Sequence, residues 1–213
     1  MFKKVLIISL AVLLMLGLWG CGEATEPEAL KEEVEIAEEN GAELETETKT
    51  ESEPGLVKIQ PGTHLVNEDI EPGRYKSEGN IQYWERLSGL SGELDDIIAN
   101  ESMISGSTIV DIKESDVAFS FSGTGYFFLV DENYEGEKKT SFGDGCYIVG
   151  VDIEPGRYKS ETGADYWARL KGFSGELDDI IANDAMVKGT VVVEIKESDV
   201  GFQTRGAEWE KID

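Results

Sequence analysis

Short apolar alternations recur through the last two thirds of this chain, each closed by a turn. In VVVEIK, Val191, Val193 and Ile195 alternate with Val192, Glu194 and Lys196, a period of two that predicts a strand with one buried face. Thr108, Val110 and Ile112 alternate with Ile109, Asp111 and Lys113 in the same way. A KESDV turn follows each run, and then Val117, Phe119 and Phe121, or Val200, Phe202 and Thr204, return at period two, so that the aromatics among them are expected in the core. Pro72-Gly73 and Pro155-Gly156 predict type II turns into the strands RYKS, because proline fixes its own φ and glycine accepts a positive one. ELDDIIAN fits two readings, since Leu94, Ile97 and Ile98 suit either a helical turn or the start of a buried strand. Together these signals predict an all-β protein of β-sandwich, jelly-roll-like type.

The elements occur twice. At a constant offset of 83 residues, without a gap, 35 of the 51 positions from Asp69 to Phe119 are identical to their partners from Asp152 to Phe202, which makes the chain a tandem duplication. The expected organisation is a signal peptide over 1–20, an acidic disordered tether over 21–55, a first β module over 56–130, a linker over 131–142 and a second module over 143–213. The short polar linker allows either a rigid pair or two independent beads.

Lys3 and Lys4 precede an apolar run from Val5 to Leu18 that ends at Trp19, Gly20 and Cys21. A run this short suits a secretory signal better than a spanning helix, which needs about 20 residues. The pattern resembles the bacterial lipobox, with Cys21 as the lipidated first residue of the mature protein, although Trp19 is bulky for that motif. From Gly22 to Pro54 there are 13 glutamates against Lys31 and Lys49, a composition that cannot bury enough apolar area to fold and extends by self-repulsion. Leu30, Val34 and Ala37 in EALKEEVEIAEE give at most a transient helix. The formal net charge of −25 is spread over tether and modules, which excludes nucleic acid as a partner and offers nothing basic to an anionic membrane.

Candidate chemistry is sparse. In strand geometry Tyr166, Ala168 and Leu170 share one face, taken as the core, which sets Trp167 with Arg169, and Trp84 with Arg86, on the outside of the sheet. An indole beside a guanidinium there suits cation–π stacking or a sugar platform, completed by Tyr75 and Tyr158. The competing reading buries the tryptophans and pairs each arginine with a carboxylate, the commoner arrangement in small β modules. Asp69, Glu71, Glu93, Asp95 and Asp96 recur as Asp152, Glu154, Glu176, Asp178 and Asp179, and Asp95, Asp96, Asp178 and Asp179 are candidate calcium ligands; carboxylates beside turns also serve as amide caps. With Cys21 modified, Cys146 is the single remaining thiol, expected to be buried and structural. His64 is the one histidine and maps onto Tyr147, so neither a nucleophile with its base nor a metal triad can be assembled, and no enzyme is expected.

GDG at Gly143, DIEPGRY, YWxRL, SGELDDIIAN and KESD resemble an uncharacterised β-rich module of secreted proteins and lipoproteins in Gram-positive bacteria, over roughly Gln60 to Ala207. The resemblance implies no known activity. It implies a disulfide between a cysteine before YW and another after the SD strand, but those places hold Gln82 with Thr124 and Asp165 with Ala207, so stability must come from elsewhere, such as packing of the two modules on each other. The expected protein is a lipid-anchored lipoprotein on the outer face of the cell membrane, or the periplasmic face where an outer membrane exists. It displays two non-catalytic modules that bind envelope polysaccharide with avidity, or alternatively serves as a structural or protein-interaction lipoprotein.

Overall fold

The computed structural model describes residues 57–213; the expected signal peptide, Cys21 and the acidic segment to residue 55 with its EALKEEVEIAEE stretch lie outside them. Alternating apolar positions form eight strands in the first module: β1 Lys58–Ile59, β2 Gly62–Leu65, β3 Gly73–Glu78, β4 Ile81–Leu87, β5 Ile97–Ser102, β6 Ile109–Ile112, β7 Ala118–Gly123 and β8 Tyr126–Leu129. The second module repeats them as β9 Ser141–Phe142, β10 Gly145–Ile148, β11 Gly156–Ser160, β12 Gly163–Leu170, β13 Ile180–Lys188, β14 Val191–Ile195, β15 Gly201–Arg205 and β16 Trp209–Lys211. The first module is two antiparallel sheets ordered β1-β8-β3-β6 and β2-β7-β4-β5; the second has the equivalent orders β9-β16-β11-β14 and β10-β15-β12-β13. This interleaved order is that of a double-sheet jelly roll. The chain is therefore two tandem jelly-roll sandwiches.

Each sandwich closes on aromatic side chains. Phe127 of one sheet meets Phe119 and Phe121 of the other edge-on, at ring separations of 5.1 and 4.8 Å, a geometry that aligns the positive edge of one ring with the negative face of the next. Phe202 and Trp209 do the same in the second sandwich at 5.5 Å. ELDDIIAN is both of its alternatives in succession, a single 3-10 turn over Leu94–Asp96 and then β5, and Leu94 itself is exposed. Phe119, Phe121 and Phe202 are buried as expected, and Val117 is exposed because it occupies the turn before β7, ahead of the alternation that Phe119 begins.

The segment between the modules is structured. Ser141 and Phe142, placed in the linker by the sequence, form β9 and pair with β16. Upstream, Tyr134 donates a 2.6 Å hydrogen bond to Asp152 of the second module, and Lys76 of the first reaches both Tyr134 and Asp152 at 2.7 Å.

A third apolar cluster joins the two sandwiches, with Ile109 from β6 packed among Cys146, Ile148, Ala168, Leu170 and Phe173. Backbone bonds cross the interface at two places: Asp111 of β6 donates its amide to the Phe173 carbonyl in the loop after β12 at 2.8 Å, and Cys146 of β10 donates its amide to the Ser107 carbonyl at 2.7 Å. Both β6 and β10 are sheet edges, and these contacts satisfy groups that would otherwise be open for pairing with another chain. The Phe173 ring lies under the Arg74 guanidinium at 4.5 Å and against Gly201, where a side chain would collide with it.

The duplicated positions differ sharply in exposure. Phe173 is 3 % exposed and its first-module partner Leu90 60 %; Ile109 is 3 % exposed and its second-module partner Val192 51 %. Phe173→Ala is expected to cost about 3–5 kcal/mol in urea unfolding, and Leu90→Ala no more than about 0.5 kcal/mol. Equal effects would mean that the interface does not contribute to stability.

Candidate functional site

The residues shared by both repeats build the scaffold. Tyr75 and Tyr158 are buried, and their hydroxyls donate to the carbonyls of Glu71 and Glu154 at 2.8 and 2.7 Å, bracing the proline-glycine turns. Asp69 and Asp152 each accept a backbone amide four residues upstream, from Leu65 and Ile148, at 2.8 Å. Arg86 holds Asp116 through two parallel bonds of 2.7 Å, and Arg169 holds Asp199 likewise at 2.6 and 2.8 Å. The two aspartates also cap the KESD turns, accepting the amides of Lys113 and Lys196 at 2.9 Å. Burial pushes the Asp199 carboxyl up, but the bonds from Arg169 and from the Lys196 amide outweigh it and leave the group below its ordinary value.

These positions follow the buried reading, with each arginine paired to a carboxylate, and not the outward platform. Trp84 is 2 % exposed and Arg86 0 %, and Trp167 is half-buried against the second core. The indole side of β4 and β12 faces the interior. Tyr166, Ala168 and Leu170 are apolar for another reason: they face the other module. Tyr75 and Tyr158, spent on their turns, present no ring to a ligand. Of the candidate calcium ligands, two serve as amide caps, the alternative role for carboxylates beside turns. Asp96 and Asp179 accept the amide (2.7 Å) and hydroxyl (2.6 Å) of Ser91 and Ser174, Asp95 and Asp178 stand exposed, and among the described residues no three metal-ligating side chains converge. The Ser91 bonds hold the Asp96 carboxyl below its usual range.

A cleft of about 380 Å³ lies between the modules, lined by the segment from Asn100 to Ile109 that connects β5 with β6 and by residues of β10, β12 and β15. Glu101 is its central polar group. One carboxylate oxygen accepts from Trp84 Nε1 at 3.0 Å and from Thr108 Oγ1 at 2.7 Å; the other accepts from Gln203 of the second module. Tyr166, Arg205, Ser105 and Ser107 add hydroxyls and a guanidinium to the lining. Cys146 sits there without thiolate character, because burial, reinforced by the Glu101 charge, pushes its thiol far above the ordinary range. The arrangement can hydrogen-bond a small polar ligand.

The sequence carries a signal for part of this cleft: several of its polar residues stand at positions where the copies differ. Glu101, Thr108, Cys146, Gln203 and Arg205 correspond to Asp184, Val191, Thr63, Ser120 and Ser122. The exchange is visible in the second sandwich, where Trp167 Nε1 is buried without a hydrogen-bond partner because Val191 and an exposed Asp184 replace the acceptors that Trp84 finds.

The duplication is what the family comparison also finds: residues 54–126 and 139–210 each match the model of the Rv1352-like extracellular domain. The chain belongs to the Rv1352-like extracellular domain family. No curated protein and no solved structure matches it. As a tandem pair of Rv1352-like extracellular domains, it has no helix among the described residues that is long and apolar enough to cross a membrane.

Removing Arg86 leaves Asp116 buried and unpaired. Arg86→Ala is therefore expected to cost about 3–5 kcal/mol by chemical denaturation, and Arg169→Ala, which also strands a buried aspartate but breaks no bond to the other module, less. In a Cys21→Ser background, Cys146 should resist a thiol reagent at pH 8 until denaturant is added. Rapid labelling of the native chain would contradict the closed interface.

Proposed function

We propose that this chain is a non-catalytic extracellular binding lipoprotein, anchored to the cell membrane through acylated Cys21, and that its two sandwiches recognise protein rather than sugar. One observation carries the reading. The Trp-Arg strip of the first sandwich is occupied by a peptide loop: Arg86 Nη1 donates to the Ser174 carbonyl at 2.7 Å, and Gly175 approaches the Trp84 ring so closely that a Cβ there would lie 2.6 Å from it. A tryptophan closed off by backbone has no ring face left for stacking on a sugar. Recognition of a polypeptide is thus already performed once within the molecule. The non-catalytic part of the reading is supported by a buried, protonated Cys146 and by His64, whose Nε2 is engaged with the Gln60 carbonyl at 2.8 Å.

A second reading keeps a polar ligand, a segment of envelope polysaccharide, in the cleft between the modules. The amide, guanidinium and hydroxyl groups of Gln203, Arg205 and Tyr166 favour it.

Anchoring is tested by metabolic labelling with a fatty acid, which is expected to mark the wild-type chain and leave Cys21→Ser unmarked and released from the membrane fraction. The two ligand classes separate by calorimetric titration of the acyl-free chain with solubilised envelope polysaccharide. No heat above dilution is expected; millimolar or tighter binding that Arg205→Ala abolishes would put the glycan reading first.

A further inference from the structure

The interface between the two sandwiches joins different surfaces of the same module, so it is heterologous, and each module keeps the half that its neighbour did not use. The second module offers the first a plug, the loop Phe173–Glu176, and receives it in a socket made of Trp84, Arg86, Asp111 and Lys113. The free plug on the first module is Leu90–Glu93; the free socket on the second is Trp167, Arg169, Glu194 and Lys196. We propose that a second copy of this chain inserts its Leu90–Glu93 loop into the Trp167–Arg169 socket, giving reversible head-to-tail assembly. This rests on the protein-recognition reading and names the partner.

Chemical identity carries the argument. The plug motif is SGELDD in both copies and the socket tryptophan, arginine and lysine are the same residues, so both halves of a contact already made once are present again. Glu176 is bonded by Lys113 and lies 3.7 Å from Arg86; Glu93, Lys196 and Arg169 reproduce that charge pattern. Arg86 uses Nε and Nη2 on Asp116 and Nη1 on the plug carbonyl. Arg169 makes the same two bonds to Asp199, which leaves Nη1 for the carbonyl of an incoming Ser91. The burial differences agree, since Leu90, Ser91 and Glu93 are exposed and Val192 stands open, whereas Phe173, Ser174 and Ile109 are covered. The strand beside the socket differs as well. In the engaged module β5 ends at Ser102 and the next residues turn toward the partner; in the other, β13 continues to Lys188 and stays paired with β12.

Substitutions also make this contact weaker than the internal one. Leu90 replaces Phe173 opposite Ala118 in place of Gly201, and Glu85, bonded to the Tyr83 hydroxyl, stands where Ala168 packs. The internal contact has in addition the effective concentration supplied by its short linker, on the order of millimolar.

The test is sedimentation velocity of the full chain with Cys21→Ser over a concentration series, together with oxidative trapping of Leu90→Cys with Glu194→Cys. Mass growing with concentration is expected, with a ladder of disulfide-linked species from the cysteine pair and none from Leu177→Cys with Glu194→Cys. Leu90→Asp should move the association midpoint at least about tenfold higher, since burial of a leucine is worth that much, and Glu85→Ala should lower it. A chain that stays monomeric and yields no ladder overturns the proposal. In that case a photo-crosslinker at Val192 in cells decides the reading beneath it: an adduct with a different protein that Arg169→Ala abolishes keeps protein recognition and discards the second copy, and no adduct discards both.

Discussion

The ion pair of Arg86 with Asp116 is the constraint on which the arrangement depends. A guanidinium taken fully out of water costs several kcal/mol unless its donors are satisfied, and a carboxylate alone satisfies one side of it. Asp116 takes Nε and Nη2; Nη1 is satisfied only by the Ser174 carbonyl of the other module. The first sandwich therefore reaches full hydrogen bonding only when the second is docked. Arg169, with the same aspartate partner but no docked loop, keeps 14 % of its side chain in solvent.

Duplication followed by divergence accounts for the rest. Two identical modules joined in tandem would each expose an unused plug or socket at the ends of the pair. This chain has placed apolar residues on the surfaces that became internal, Ile109, Phe173, Ala168 and Cys146, and left smaller or charged ones on the surfaces that remained outside, Val192, Leu90, Glu85 and Thr63. Polar outer faces at the ends of a repeat array limit its extension, as terminal repeats do in solenoids. The internal interface also takes the place of the disulfide implied by resemblance: neither module has a cysteine pair, and the free thiol Cys146 packs in that interface instead.

Much of the fold was legible because strand alternation reports a local physical fact. The VVVEIK and Phe119/Phe121 patterns located β6, β7, β14 and β15, and the offset of 83 residues revealed two modules. Whether the Trp84 and Arg86 face pointed outward or into the core stayed open between two readings, because alternation says which residues share a face and not what covers it. β12 is apolar on both sides, one packed on its own core and the other on the neighbouring module, so the apolar face was not diagnostic. The cleft residues were hidden for a similar reason: Glu101 and Gln203 are 102 positions apart and meet only through docking. Their one trace in the sequence was divergence between copies.

The sequence by itself determined that this protein is a duplicated all-β module, because a period of two and an ungapped repeat depend on neighbouring residues and on nothing beyond them. It also determined which residues recur in both copies and offered caps and ion pairs among their roles, but not which partner each one meets. Only the tertiary structure decided which of two apolar faces is a core and which is an interface, that the linker is ordered, and that one tryptophan is sealed while its twin is half-open. Those outcomes depend on the docking of one sandwich against another, and residues identical in sequence acquire different solvent exposure because each has a different neighbour.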